Sequence, residues 1–147
     1  MFNQRILDSH DIERFVLAQQ DDYVQAIAEI NSGKKRSHWI WYIFPQLDGL
    51  GTSLNCMYYG IKSIDEAKRY LQHPILGTRL HECMVAVLNI QGKSAYEIFG
   101  TPDDKKLRSC ATLFAYVSSA DSVFHQVLDK YFNGKQDTKT IHLLENS

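Results

Sequence analysis

His38 and Asp103 are the two side chains of this sequence for which proton transfer and ligand contact can be argued together. An imidazole titrates near neutral pH, and a carboxyl group held near a cation can exchange a proton, so each is a candidate acid/base catalyst. His38 stands between the basic run Lys34-Lys35-Arg36 and the segment Trp39-Ile40-Trp41-Tyr42-Ile43-Phe44-Pro45-Gln46. Arg36 is suited to holding a carboxylate or phosphate. Trp39 and Trp41 offer flat faces for a stacked ligand, and Gln46 adds an amide. Lys106, one turn beyond Asp103, is a second candidate anion holder. If these groups converge, they line a pocket for a small anionic or aromatic ligand.

Each residue also has a plainer reading. Two indoles in an apolar run are first of all a core plug, with each N–H on a backbone carbonyl. Three basic residues in a row are first of all a solvated loop. Asp103 is equally a first-turn acid favoured by the helix dipole, worth under about 1 kcal/mol when exposed. Gln19 falls inside an apolar stripe, where a buried amide would tie down neighbouring backbone. His81 and Cys83 are metal-ligand types, but two residues apart on a helix they diverge, so no metal site is expected.

The elements that must position these groups read as helices. Stepping 100° per residue from Ser37 to Phe44 leaves no freely polar face, which predicts a short central helix buried nearly all round and stopped by Pro45. A first helix is expected to open at Asp8 or Ser9 and to end near Asn31, with Gly33 as its C′ residue. Ile12, Phe15, Val16, Tyr23, Ala26, Ile27 and Ile30 form its apolar stripe, with Glu13, Arg14, Asp21, Gln25 and Glu29 lying off it. A short helix spans 53–59. Ser63-Ile64-Asp65-Glu66 and Ser94-Ala95-Tyr96-Glu97 read as capping boxes. Pro74 suits a first helical position, as does Pro102 after a Thr101 cap. Leu107, Cys110, Ala111, Phe114 and Val117 mark the core face of the helix that follows. Asp103 projects onto that face, and Asp104 pairs with Arg108 on the flank. Ser119 is expected to cap a last long helix, and Asp137 a short terminal one. His125 and Glu82 point off their stripes and read as solvated.

The 147 residues form one domain by size, 1–147, with 44% apolar content and a net charge of −1. That charge gives no field for nucleic acid or an anionic membrane. Three scattered cysteines make neither a disulfide frame nor a zinc knuckle and fit a reducing cytoplasm. No run approaches membrane-spanning length. P-loop, dinucleotide and nucleophile-elbow patterns are lacking, so no cofactor is expected. No pattern points to an oligomeric state. The expected fold is therefore mainly α, a compact multihelical single domain around a buried central Trp-rich helix.

The motif Arg36-Ser37-His38-Trp39-Ile40-Trp41-Tyr42-Ile43-Phe44-Pro45-Gln46 resembles that of a bacterial family, the domain of unknown function 1810, some of whose members are labelled calpastatin. The likeness continues through Gly49-Leu50-Gly51, Glu66-Ala67, Tyr70-Leu71, His73-Pro74, Leu76-Gly77 and Arg79-Leu80. It resumes at Ile98-Phe99-Gly100, Asp103-Asp104, Lys106-Leu107-Arg108-Ser109 and Thr112-Leu113-Phe114. Ile40 and Ala111 stand where the family often has Met, and Tyr42 where it often has Phe. The resemblance implies a mainly helical single domain and brings no activity. Two functions stay open: a small-ligand pocket with acid/base chemistry, or a non-enzymatic protein–protein interaction module.

Overall fold

The computed structural model describes residues 8–146. Among them run α1 (Glu13–Asn31), α2 (Ile40–Ile43), α3 (Leu54–Tyr59), α4 (Ile64–Gln72), α5 (Leu76–Leu88), α6 (Ala95–Phe99), α7 (Asp103–Tyr116), α8 (Val123–Phe132) and α9 (Thr138–Glu145). The fold is mainly α, as the periodicity predicts. The described residues contain no strand, only an isolated bridge between Leu47 and Ile61. There the Ile61 N–H donates to the Gln46 carbonyl and the Asp48 N–H to the Ile61 carbonyl, each at 2.9 Å.

Most helix starts follow from local chemistry. Ser53, Ser63, Ser94, Ser122 and Asp137 each cap a helix by accepting from the backbone N–H three residues on. Four starts differ from the expected positions. α1 opens at Glu13 because the Asp11 carboxylate accepts from the Glu13 N–H at 2.9 Å and holds the preceding turn. α5 opens after Ile75, not at Pro74, because His73 Nδ1 accepts from the Ile75 and Leu76 N–H groups at 3.1 and 3.3 Å. α7 opens after Pro102 without a side-chain cap from Thr101. Ser122 caps α8, while the Ser119 hydroxyl donates to Asp121 at 3.0 Å. Nor does Asp104 pair with Arg108: its carboxylate accepts from the Lys105 N–H at 2.8 Å, and Arg108 donates to the Gln136 carbonyl at 3.1 Å.

The helix enclosed on most sides is α7, where Leu107 and the unbroken run Ser109 to Ala115 are buried. It packs against α6, α8 and α9, while α5 packs against α1, α4 and α8. The tryptophan segment makes a single helical turn instead of the longer helix expected over 37–44. Trp39, Ile40, Ile43 and Phe44 are buried, while Trp41 and Tyr42 are half-buried. Both ends have a physical cause. Pro45 pushes Phe44 to φ −124° and ψ 72°, out of the helical region. At the other end, Glu29 of α1 accepts from the Arg36 N–H (2.8 Å), the Ser37 N–H (3.0 Å), the Ser37 hydroxyl (2.6 Å) and Trp39 Nε1 (2.9 Å). One carboxylate thus fixes residues 36–39 in a non-helical course.

The helical wheel misplaces two charged residues of α1. Glu29 is buried instead of solvated, and so is Arg14. Arg14 meets Glu66 in a two-pronged ion pair at 2.8 and 3.0 Å. It also donates to the carbonyls of Tyr58 (2.8 Å), Asp11 (2.8 Å) and Gly60 (3.0 Å), so each of its five N–H groups has a partner. The expected capping box at Ser63 is consequently half-made. Ser63 accepts from the Glu66 N–H, but the Glu66 carboxylate serves Arg14 and the Lys62 N–H (2.9 Å). Gln19 is buried as expected and ties down backbone, donating to the Tyr42 carbonyl at 2.7 Å.

Burial alone would raise the Glu29 pKa, but its donors, Ser37 first, overcome that and bring it down to about 2 from 4.5. A depressed carboxylate contributes stability that is complete above the unfolded value and is lost as pH falls through the folded one. Urea unfolding is therefore expected to show stability declining from pH 4.5 toward 2, by up to about 3 kcal/mol from this group. The decline should shrink in Glu29→Gln; an unchanged acid profile in that variant would refute the assignment.

The junction of α4 and α5 depends on Gly77. A Cβ there would lie 2.1 Å from the Leu71 carbonyl oxygen and 2.9 Å from its carbon, which is backbone and cannot swing away. Gly77→Ala is expected to cost about 1–3 kcal/mol, read as a lower Tm.

Candidate functional site

The first two turns of α7 project Lys105, Lys106 and Ser109 to one side. α9 lies across α7 there, fixed by the Asp137 N–H donating to Thr112 Oγ1 at 2.9 Å, and brings Asp137 and Lys139 to the same place. The loop after α2 supplies Gln46, Leu50 and Gly51, and α3 supplies Cys56. The Leu47–Ile61 bridge holds the backbone of Gln46. Gly51 allows the loop to lie on α3, since a Cβ there would sit 2.6 Å from Cys56 Sγ. Together with Pro102 these groups enclose a cleft of about 230 Å³. Among the described residues lining it, three are lysines, one is acidic and none is a histidine. The Asp137 Oδ2 atom is already engaged, accepting from the Thr140 N–H (2.9 Å) and hydroxyl (2.6 Å).

A second, narrower recess of about 10 Å³ adjoins the cleft and shares Gln46, Cys56 and Lys106 with it. Trp41, Phe44, Asn55 and Tyr59 complete much of its wall. The Trp41 indole N–H is buried without a hydrogen-bond partner. Most buried polar groups have one, so this atom marks a place where an acceptor would be favourable. The recess is only about large enough for one water-sized group.

Behind the cleft, two lysines and two indoles are joined by one carboxylate. Lys106 Nζ lies 5.2 Å from the centre of the Trp41 ring and 3.9 Å from Asp103. Asp103 in turn meets Lys35 at 2.7 Å, and Lys35 Nζ sits 5.0 Å from the centre of the Trp39 ring. The Lys35 side chain is only 6% exposed, so this member of the basic run is a packed structural cation. Cation–π and ionic attraction together hold the tryptophan segment on the start of α7.

The structure thus gathers Trp41, Gln46 and Lys106 at the cleft and its recess, with Asp103 in contact with Lys106. It does not bring the other named residues there. His38 is exposed and its imidazole makes no hydrogen bond or ion pair. The Tyr42 phenol, one turn on, donates to Asp22 of α1. Arg36 turns back toward the end of α1, donating to Ser32 Oγ at 3.2 Å and the Lys34 carbonyl at 3.4 Å. Trp39 is 1% exposed and spends its N–H on Glu29. Lys105, Ser109, Cys56, Asp137 and Lys139 line the cleft without having been singled out for it. Lys105 and Ser109 stand one turn apart on α7, but Cys56 comes from α3 and Asp137 and Lys139 from the start of α9, so no local spacing links these three groups.

No group of three His, Cys, Asp or Glu side chains suited to a metal ion occurs among the described residues, whose cysteines are all free. No described helix is long and apolar enough to cross a membrane.

Residues 9–144 match the family described as Protein of unknown function (DUF1810). The crystal structure of the conserved hypothetical protein Rv1873 from Mycobacterium tuberculosis superposes with a TM-score of 0.91 at 49% sequence identity, covering 94% of this chain and 99% of that one. No curated protein matches the chain.

Proposed function

The chain belongs to the DUF1810 family of proteins of unknown function, and within that frame we propose that it binds a small anionic ligand in the cleft between α3, α7 and α9. The supporting observation is the meeting of Lys105, Lys106 and Lys139 with the polar groups Gln46 and Ser109 in one concavity of a chain whose net charge is −1. Three cations in a partly enclosed site attract a phosphate or carboxylate more strongly than the same charges spread over a surface. Asp103 acts as a positioning residue, holding Lys106 against Trp41. The acid/base role argued for His38 does not belong to this site.

A thermal-shift series at low ionic strength tests the reading. A phosphate- or carboxylate-bearing ligand at a hundredfold excess over Kd should stabilise the fold by about 2.7 kcal/mol, a rise of several degrees in Tm. Added salt should weaken the effect, and Lys105→Gln/Lys139→Gln should remove it. The absence of any shift across a broad panel of anions would reject the proposal.

A protein–protein interaction module is the second reading, favoured by one observation. Leu54 is 85% exposed and Met57 53% exposed, three residues apart on α3. If that pair meets a partner, Leu54→Glu should abolish the association and leave anion binding intact.

A further inference from the structure

We propose, resting on the reading of the cleft as an anion site, that its ligand is a phosphorylated polyol, such as a small sugar phosphate, and not an aromatic anion. The aromatic option lacks a face to stack on, because none of the described residues lining the cleft is aromatic. The ring of Trp41 already carries Lys106 Nζ at 5.2 Å from its centre, and the recess beside it holds about 10 Å³, too little for a ring. Trp39 is 1% exposed and closed to any ligand.

The cleft's size and lining select the class. Its 230 Å³ lies below the range of about 300–1,000 Å³ common for drug-sized ligands. That suits a short chain bearing one phosphate. Lys105, Lys106 and Lys139 provide the charge for a phosphate dianion. Asp137 is the informative residue. A carboxylate would repel a bare anion, and it becomes favourable toward a ligand that also brings hydrogen-bond donors, as the hydroxyls of a polyol do. Asp137 Oδ2 is taken by Thr140, which leaves acceptor capacity on the carboxylate. Gln46 offers both a donor and an acceptor. Ser109 donates its own hydroxyl to the Lys105 carbonyl at 3.1 Å, and its oxygen remains an acceptor. Cations for a phosphate and acceptors for hydroxyls thus share one small space.

Isothermal titration calorimetry on the full chain at low ionic strength, with ribose 5-phosphate, ribose, inorganic phosphate and benzoate as probes, tests this. Ribose 5-phosphate is expected to bind at least about tenfold tighter than each of the others. Lys105→Gln/Lys139→Gln, which alters two exposed lysines, should weaken it by about tenfold or more. Gln46→Ala should shrink the preference over inorganic phosphate. Inorganic phosphate or benzoate binding as tightly as ribose 5-phosphate would overturn the polyol inference and leave the anion site standing. Unchanged ribose 5-phosphate affinity in the double-lysine variant would place the ligand elsewhere and overturn it. Failure of every anion to bind would remove this inference and the proposed function together.

Discussion

Glu66→Leu is expected to destabilise the protein by about 3–5 kcal/mol, because it strands a guanidinium that water cannot reach. The Arg14 and Glu66 side chains are 0% and 1% exposed. The pair is not itself a large source of stability, since removing both charges from water offsets much of their attraction. The large effect comes from breaking it on one side. Glu66→Leu also frees the Lys62 N–H, so the turn into α4 loosens at the same time. The double variant Arg14→Met/Glu66→Leu should therefore be more stable than Glu66→Leu alone, although the Tyr58 and Gly60 carbonyls lose their donor. Urea unfolding of the three proteins measures this. A single-variant loss below about 1 kcal/mol would mean that solvent reaches Arg14.

Trp39→Ala is expected to cost about 3–5 kcal/mol, the range for emptying a large buried aromatic site. Its ring meets Phe44 and Phe99 at centroid separations of 6.1 and 6.5 Å, and its N–H is one of the groups that hold Glu29. Trp41→Ala should cost less than half as much, since Trp41 is only half-buried and its N–H has no partner to lose. Paired thermal denaturation curves decide the matter, and equal losses in the two variants would contradict the division of labour between the indoles.

The two predictions mark where sequence reasoning succeeds and where it stops. Helix class and most caps are local properties, so Ser63, Ser94 and Asp137 are legible from the residues beside them. The starts at Leu76 and Glu13 are not, because His73 and Asp11 offer acceptors that outcompete the expected positions. A helical wheel sorts residues by polarity, so it sends Arg14 and Glu29 outward. Both are drawn inward by partners far along the chain, Glu66 in one case and the 36–39 backbone in the other. The same limit governs the site. Asp103 with Lys106 is legible because the two lie one turn apart on one helix, whereas Lys105 and Lys139 meet only after α9 folds across α7. The tryptophan segment is legible as apolar, but not as a single turn, because the carboxylate that unwinds its start sits on α1.

The unequal settings of the two indoles have an optical consequence. These are the chain's only tryptophans. Trp39 is locked beside a carboxylate in the interior, and Trp41 lies under an ammonium in the recess beside the cleft. Selective excitation of the indoles would therefore give two emitters, one reporting the integrity of the packed body and the other events in the recess beside the cleft. A Trp39→Phe protein, with its single remaining indole, would signal ligand arrival without any attached dye.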